Sequence, residues 1–147
     1  MPLIYILEDD SSVRELETYA LQGNGFEVEG FEEPKSFYNA LGKKKPDLII
    51  IDVMLPGEDG ISITKKLRAS SEFKRIPVVM VTAKDSEIDA IKGLDCGADD
   101  YITKPFSVMI FISRVKAVLR RVSENDERRD YSYCLLYTSP SPRDRSV

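Results

Sequence analysis

The sequence predicts an α/β fold: a doubly wound sheet of five parallel strands. Short β-branched runs alternate with longer segments whose apolar residues recur at helical spacing, as when strands are joined by crossover helices. The strongest runs are continuously apolar, as expected of strands covered on both faces. The 147 residues, 42% hydrophobic and 31% charged, suffice for one such domain but not for two with separate cores.

Leu3-Ile4-Tyr5-Ile6-Leu7 is the first strand, and it stops abruptly at Glu8-Asp9-Asp10. Ser11 or Ser12 is expected to cap a helix whose apolar positions Val13, Leu16, Tyr19 and Ala20 recur at helical spacing and which ends near Gly23. Residues 26–31 form a weaker strand. There Phe26, Val28 and Gly30 alternate with glutamates, which predicts a sheet edge. A short helix over 33–41 carries Phe37, Tyr38 and Leu41 before a Gly, Lys and Pro loop. Asp47 leads into Leu48-Ile49-Ile50-Ile51, the most hydrophobic strand, which ends at Asp52. Pro56, Gly57 and Gly60 mark a loop before a helix with Ile61, Ile63 and Leu67. Val78-Val79-Met80-Val81 is the fourth strand, ended by Thr82, and a helix follows over 86–96 with Ile88, Ile91 and Leu94. A short fifth strand over 101–103 stops at Lys104-Pro105. The last helix, 107–122, sets Ile112, Val115, Val118 and Leu119 at core spacing and ends in Arg120-Arg121, which suits its dipole.

Composition removes several function classes. The net charge of -4 offers nothing that would draw a phosphate backbone or an anionic membrane, so nucleic-acid binding by this segment is not expected. The sequence contains no histidine, which excludes Ser-His-Asp hydrolysis and His-zinc sites and puts any phosphohistidine on another molecule. Cys96 and Cys134 are too few and too far apart for a disulfide framework. No apolar run approaches a membrane span, and the N-terminus has no signal-like pattern, so a cytoplasmic protein is expected.

A doubly wound sheet places its site beyond the carboxyl ends of its strands. Here that edge would gather Glu8, Asp9 and Asp10 after the first strand, Asp52 after the third, Thr82 after the fourth and Lys104 after the fifth. Clustered carboxylates repel one another unless a cation neutralises them. All-oxygen ligation without imidazole or thiolate suits Mg²⁺. One screened carboxylate can then act as a nucleophile toward phosphorus, with Lys104 and Thr82 holding phosphoryl oxygens.

The stretches Glu8-Asp9-Asp10-Ser11-Ser12-Val13-Arg14, Asp47 to Gly57, Val81-Thr82-Ala83 and Gly97 to Phe106 resemble the receiver domain of two-component response regulators, in the expected order over roughly 2–122. The OmpR/PhoB branch is the most similar. The resemblance implies a flavodoxin-like (βα)5 fold with strand order 2-1-3-4-5 and a phosphorylation-activated switch. In it Asp52 would accept a phosphoryl group from a sensor histidine kinase, while Glu8, Asp9, Asp52 and the Met54 backbone carbonyl would organise Mg²⁺. It further implies a switch pair, Thr82 and Tyr101, a cis peptide before Pro105, and a phosphorylation-linked homodimer. Lys92, Asp95, Asp99, Asp100, Arg114 and Lys116 are the candidates for that dimer face.

Two departures are expected to matter. Met54 and Lys84 stand where some relatives carry groups that orient a hydrolytic water, which predicts slow self-dephosphorylation. Met109-Ile110-Phe111-Ile112 stands where polar residues would begin the last helix, which predicts a more apolar dimer contact. From Ser123 the composition turns polar and then rich in Ser, Pro, Tyr and Arg. We expect a receiver domain over 1–122 and a tail over 123–147 that is linker remnant plus non-native extension. The full-length protein is expected to regulate transcription. The alternatives are a metal-dependent phosphatase or phosphotransferase with an aspartyl-phosphate intermediate, and a receiver-like interaction module that is never phosphorylated.

Overall fold

The computed structural model describes residues 1–83 and 96–131, with 123–131 described as helix backbone alone. The helix expected over 86–96 lies outside the described residues apart from Cys96, and with it lie Lys84, Lys92 and Asp95. Five parallel strands form one sheet: β1 (Leu3–Leu7), β2 (Glu27–Phe31), β3 (Leu48–Asp52), β4 (Val78–Thr82) and β5 (Asp100–Thr103). Their order is β2-β1-β3-β4-β5, as the family resemblance implied. The described helices are α1 (Ser11–Gln22), α2 (Pro34–Lys43), α3 (Gly60–Ala69) and α4 (Val108–Tyr131). None of the described helices is long and apolar enough to cross a membrane.

The three apolar runs occupy the sheet centre because β1, β3 and β4 are buried along their whole lengths. Alternate side chains feed two cores. Tyr5, Leu7, Ile49, Ile51, Val78 and Met80 pack with Phe37, Leu41, Ile63 and Leu67 on one face. Ile4, Ile6, Leu48, Ile50, Val79, Val81 and Ile102 pack with Leu21, Phe111, Val115 and Val118 on the other. β2 is the edge strand that its glutamates predicted.

Three local readings are corrected. Asp10, not Ser11 or Ser12, caps α1: its carboxylate accepts the N–H groups of Ser12 at 2.9 Å and Val13 at 3.2 Å. That register turns Leu16 and Tyr19 to solvent, 45% and 80% exposed, and buries Glu17, Ala20 and Leu21. The last helix runs to Tyr131 rather than 122, because loss of apolar periodicity ends a buried face and not a helix whose sequence continues in good helix formers such as Glu and Arg.

Candidate functional site

Register brings the predicted residues to one edge. Leu7 pairs with Ile51, Asp52 with Val81 and Thr82 with Thr103, so the residues that end β1, β3, β4 and β5 lie side by side. Strand parity continues the Ile4-Ile6 side of β1 to Glu8, the Leu48-Ile50 side of β3 to Asp52 and the Ile102 side of β5 to Lys104. Glu8, Asp52 and Thr82 are buried at this edge, and Asp9 beside them is exposed.

Lys104 Nζ lies 3.0 Å from Glu8 Oε1 and 3.4 Å from Asp52 Oδ2. The Met54 N–H donates to Asp52 Oδ1 at 3.0 Å, and the Asp10 N–H donates to Glu8 Oε2 at 3.2 Å. Carboxylate oxygens of Glu8, Asp9 and Asp52 all lie within 4.8 Å of one another. Asp10 does not join them: its side chain is spent on the α1 cap. Backbone contact fixes the height of Asp52, since the Gly60 N–H donates to Val53 O at 3.0 Å as α3 begins. A Cβ on Gly60 would run into the Asp52 carbonyl oxygen and come within 2.7 Å of Ile51 Cγ2. No larger residue fits there without moving β3 or α3.

The electrostatics are those of a crowded acidic pocket. Burial pushes the Glu8 carboxyl up to about 7, Asp52 beside it adds to the rise, and Lys104 partly opposes it. Burial alone would lower the Lys104 ammonium, but its contacts with Glu8 and Asp52 outweigh that and hold it above its ordinary value. One lysine thus bridges two of three carboxylates. Glu8 Oε1 is buried and accepts no well-aligned hydrogen bond, although Lys104 stands close. Three carboxylates sharing one lysine leave negative charge uncompensated, and a hard, all-oxygen donor set of this kind is what a small divalent cation satisfies, so these residues fit Mg²⁺.

The other predicted residues are placed as follows. Met54 presents its N–H to Asp52 while its side chain is 53% exposed. Tyr101 is half-buried and, with Ile102, Thr103, Pro105, Ile110 and Arg114, lines a hollow of about 510 Å³. The Lys104-Pro105 peptide is cis. The candidate dimer residues largely serve their own chain. Asp99 pairs with Arg68 at 2.9 Å and accepts the Val78 N–H at 2.8 Å, and Asp100 pairs with Arg114 at 3.0 Å. Lys116 reaches Asn24 Oδ1 at 3.3 Å, on the α1 side of α4 rather than beside β5. Of the five apolar residues that open α4, Phe111 and Ile112 enter the core, while Val108, Met109 and Ile110 are exposed.

Two residues of this neighbourhood were missed from sequence. Glu17 is fully buried on the sheet-facing stripe of α1, and neither of its carboxyl oxygens has a hydrogen-bond partner among the described residues. Burial pushes it up to about 8, with the nearby Glu8 adding to the rise. Arg14 donates from Nη1 to the Glu8 carbonyl at 2.6 Å. Glu17 would be found only by taking Asp10 as the cap and counting Val13, Glu17, Ala20 and Leu21 as one face.

Comparison with known proteins agrees with this geometry. Residues 4–116 match the family model described as response regulator receiver domain. The chain is 47% identical over 120 residues to the phosphate regulon transcriptional regulatory protein PhoB of Escherichia coli, covering 82% of this chain and 52% of that protein. It is 42% identical over 127 residues to the sensory transduction protein RegX3 of Mycolicibacterium smegmatis, covering 86% of this chain and 54% of that one. The chain thus spans about half the length of the curated relatives it matches. Among solved structures, the Francisella response regulator 1452 receiver domain superposes with a TM-score of 0.76 at 33% identity, covering 82% of this chain and 98% of that one. The BeF3-activated N-terminal receiver domain of Klebsiella pneumoniae RstA gives 0.73 at 31% identity, covering 80% and 98%. A sheet ordered 2-1-3-4-5, with an acidic pocket and a lysine at its carboxyl edge and a match over residues 4–116, makes this chain a member of the response regulator receiver domain family.

Proposed function

We propose that Asp52 is the phosphoacceptor of a two-component signalling switch, charged by a phosphohistidine of a sensor histidine kinase. The observation that carries this reading is Lys104, held between Glu8 and Asp52 at 3.0 and 3.4 Å with Asp9 in the same cluster. In the transfer an Asp52 carboxylate oxygen forms a bond to phosphorus, the phosphorus–nitrogen bond to the kinase imidazole breaks, and the imidazole keeps the electron pair. Glu8, Asp9, Asp52 and the Met54 carbonyl would hold Mg²⁺. When bound, the ion screens the carboxylates from the incoming anion and balances charge on the phosphoryl oxygens.

Lys104 is poised to exchange its carboxylate contacts for a phosphoryl oxygen, and the Thr82 hydroxyl takes another. These contacts exist only in the phosphorylated form, so they can bias a conformational equilibrium in which Tyr101 takes part. No side chain suited to activating water stands at Met54, which supports a long-lived phosphoryl group. The domain assists its own phosphorylation and dephosphorylation and turns over no external substrate. In the full-length protein it controls an output, transcriptional by analogy with the PhoB and RegX3 relatives, and it works in the cytoplasm, where a kinase's transmitter would meet it. Dimerisation would use the exposed Met109 and Ile110 more than ion pairs, since Asp99, Asp100 and Arg114 are paired within the chain.

Intact-mass measurement after incubation with phosphoramidate and Mg²⁺ tests the reading. A single phosphoryl adduct on the wild type, absent from Asp52→Asn, supports it. No adduct would favour a silent interaction module, and repeated turnover of an added phosphoester would favour a phosphatase.

A further inference from the structure

We propose that Arg14 and Gly30 form a positioning pair for the cation site, fixing the peptide that joins Glu8 to Asp9. This rests on the reading that Glu8 and Asp9 hold a divalent cation. The Glu8 N–H donates to the Phe31 carbonyl of β2 at 3.0 Å. The Glu8 carbonyl accepts from Arg14 Nη1 at 2.6 Å. The Glu8 backbone is therefore held from both ends, by the edge strand and by the first turns of α1, while its carboxylate is held by the Asp10 N–H at 3.2 Å. A ligand pair on a loop gains its geometry from such outer contacts.

Gly30 makes the Arg14 contact reachable. The aliphatic part of Arg14 lies directly over it: a Cβ on Gly30 would fall 3.0 Å from Arg14 Cδ and 3.2 Å from Cγ. A side chain there would press on Arg14 and require it to give by a few tenths of an ångström, drawing its guanidinium from the Glu8 carbonyl. The glycine sits in an otherwise glutamate-rich edge strand, where it weakens the strand and offers no packing of its own. A notch for Arg14 gives it a role.

The sign of the effect separates positioning from simple charge. Arg14 brings a positive charge to a residue expected to bind a cation. On Coulombic grounds alone, Arg14→Met should tighten cation binding. If Arg14 positions the ligands, the same substitution weakens it. Mn²⁺ binding followed by loss of the free-ion electron paramagnetic resonance signal, with Mg²⁺ titration calorimetry beside it, reads the difference without any phosphorylation assay.

We expect Arg14→Met to bind about tenfold more weakly, the low end of what the loss of an outer contact to a metal ligand costs. Gly30→Ala should weaken binding in the same direction although the guanidinium charge stays. The double variant should bind no more weakly than Arg14→Met alone, since both act through one contact. Arg14→Lys, which keeps the charge and an ammonium donor on a shorter side chain, should recover part of the affinity relative to Arg14→Met. Unchanged or tighter binding in Arg14→Met, or additive losses in the double variant, would overturn the proposal. Should Arg14→Met fail to fold, Gly30→Ala decides, and unchanged affinity there is equally adverse. If the wild type binds neither Mn²⁺ nor Mg²⁺, the cation reading fails, and this inference with it.

Discussion

β3 and α1 each bring a carboxylate toward the same edge of the sheet, but they do so in opposite ways. β3 spends four buried aliphatic residues on anchoring itself and places Asp52 at its very end, where the Met54 N–H and Lys104 receive it. α1 buries Glu17 in mid-helix without a hydrogen-bond partner among the described residues, and leaves Leu16 and Tyr19 in solvent. Position in the fold therefore decides burial more firmly than residue type does. The Asp10 cap and the Arg14 contact set the rotation of α1, and whatever falls at position 17 faces the sheet. A carboxyl survives there by remaining protonated at neutral pH, consistent with its rise to about 8.

The comparison can be broken first on the β3 side. Gly60→Val, against the Asp52 carbonyl oxygen and Ile51, should cost about 3 kcal/mol of stability by overpacking, read by urea unfolding. A neutral result would mean that α3 does not fix β3. On the α1 side the sign reverses: Glu17→Leu should stabilise the protein by roughly 2 kcal/mol at pH 8, because an apolar side chain replaces a buried group without partners. The gain should shrink below about pH 4.5, the ordinary glutamate value, where the carboxyl becomes neutral in both folded and unfolded chains. Destabilisation at pH 8 would show that Glu17 has a needed partner.

The wild type carries its own pH test. Glu8 and Glu17 both lie above the ordinary glutamate value of 4.5, at about 7 and about 8. Between those values the folded state binds more protons than the unfolded one, so stability falls as pH rises. The contribution is complete below about pH 4.5 and lost by about pH 8. Metal-free protein should unfold at lower urea at pH 8 than at pH 5. If Glu8 holds Mg²⁺ as proposed, the ion should recover part of the difference at pH 8 and less at pH 5, where the Glu8 carboxyl is protonated. Smallest of all, Leu16→Gln and Tyr19→Ser should each change stability by less than about 0.5 kcal/mol, for neither side chain is in the core.

The strands were legible because a parallel strand covered on both faces is apolar along its length, and the apolar run stops at the end of β1 and one residue before the ends of β3 and β4. That is also why Glu8, Asp52, Thr82 and Lys104 could be gathered from sequence: each follows or ends a strand. α1 was less legible. Its apolar residues recur at helical spacing, yet the true buried stripe is shifted and contains a glutamate, which no hydrophobic count can find. The length of α4 was hidden because a polar helical segment has no periodicity to betray it. Arg14 was visible only as part of a motif, since its partner is a backbone carbonyl and carbonyls leave no mark on a sequence.

On the proposed reading, one carboxylate among several at this edge takes the phosphoryl group. Borohydride reduction of the phosphorylated protein followed by peptide mass spectrometry addresses it most directly, because reduction converts an aspartyl phosphate to homoserine at the modified position. Homoserine is expected at position 52 and nowhere else. Homoserine at position 9 or 10 with Asp52 intact would contradict the reading.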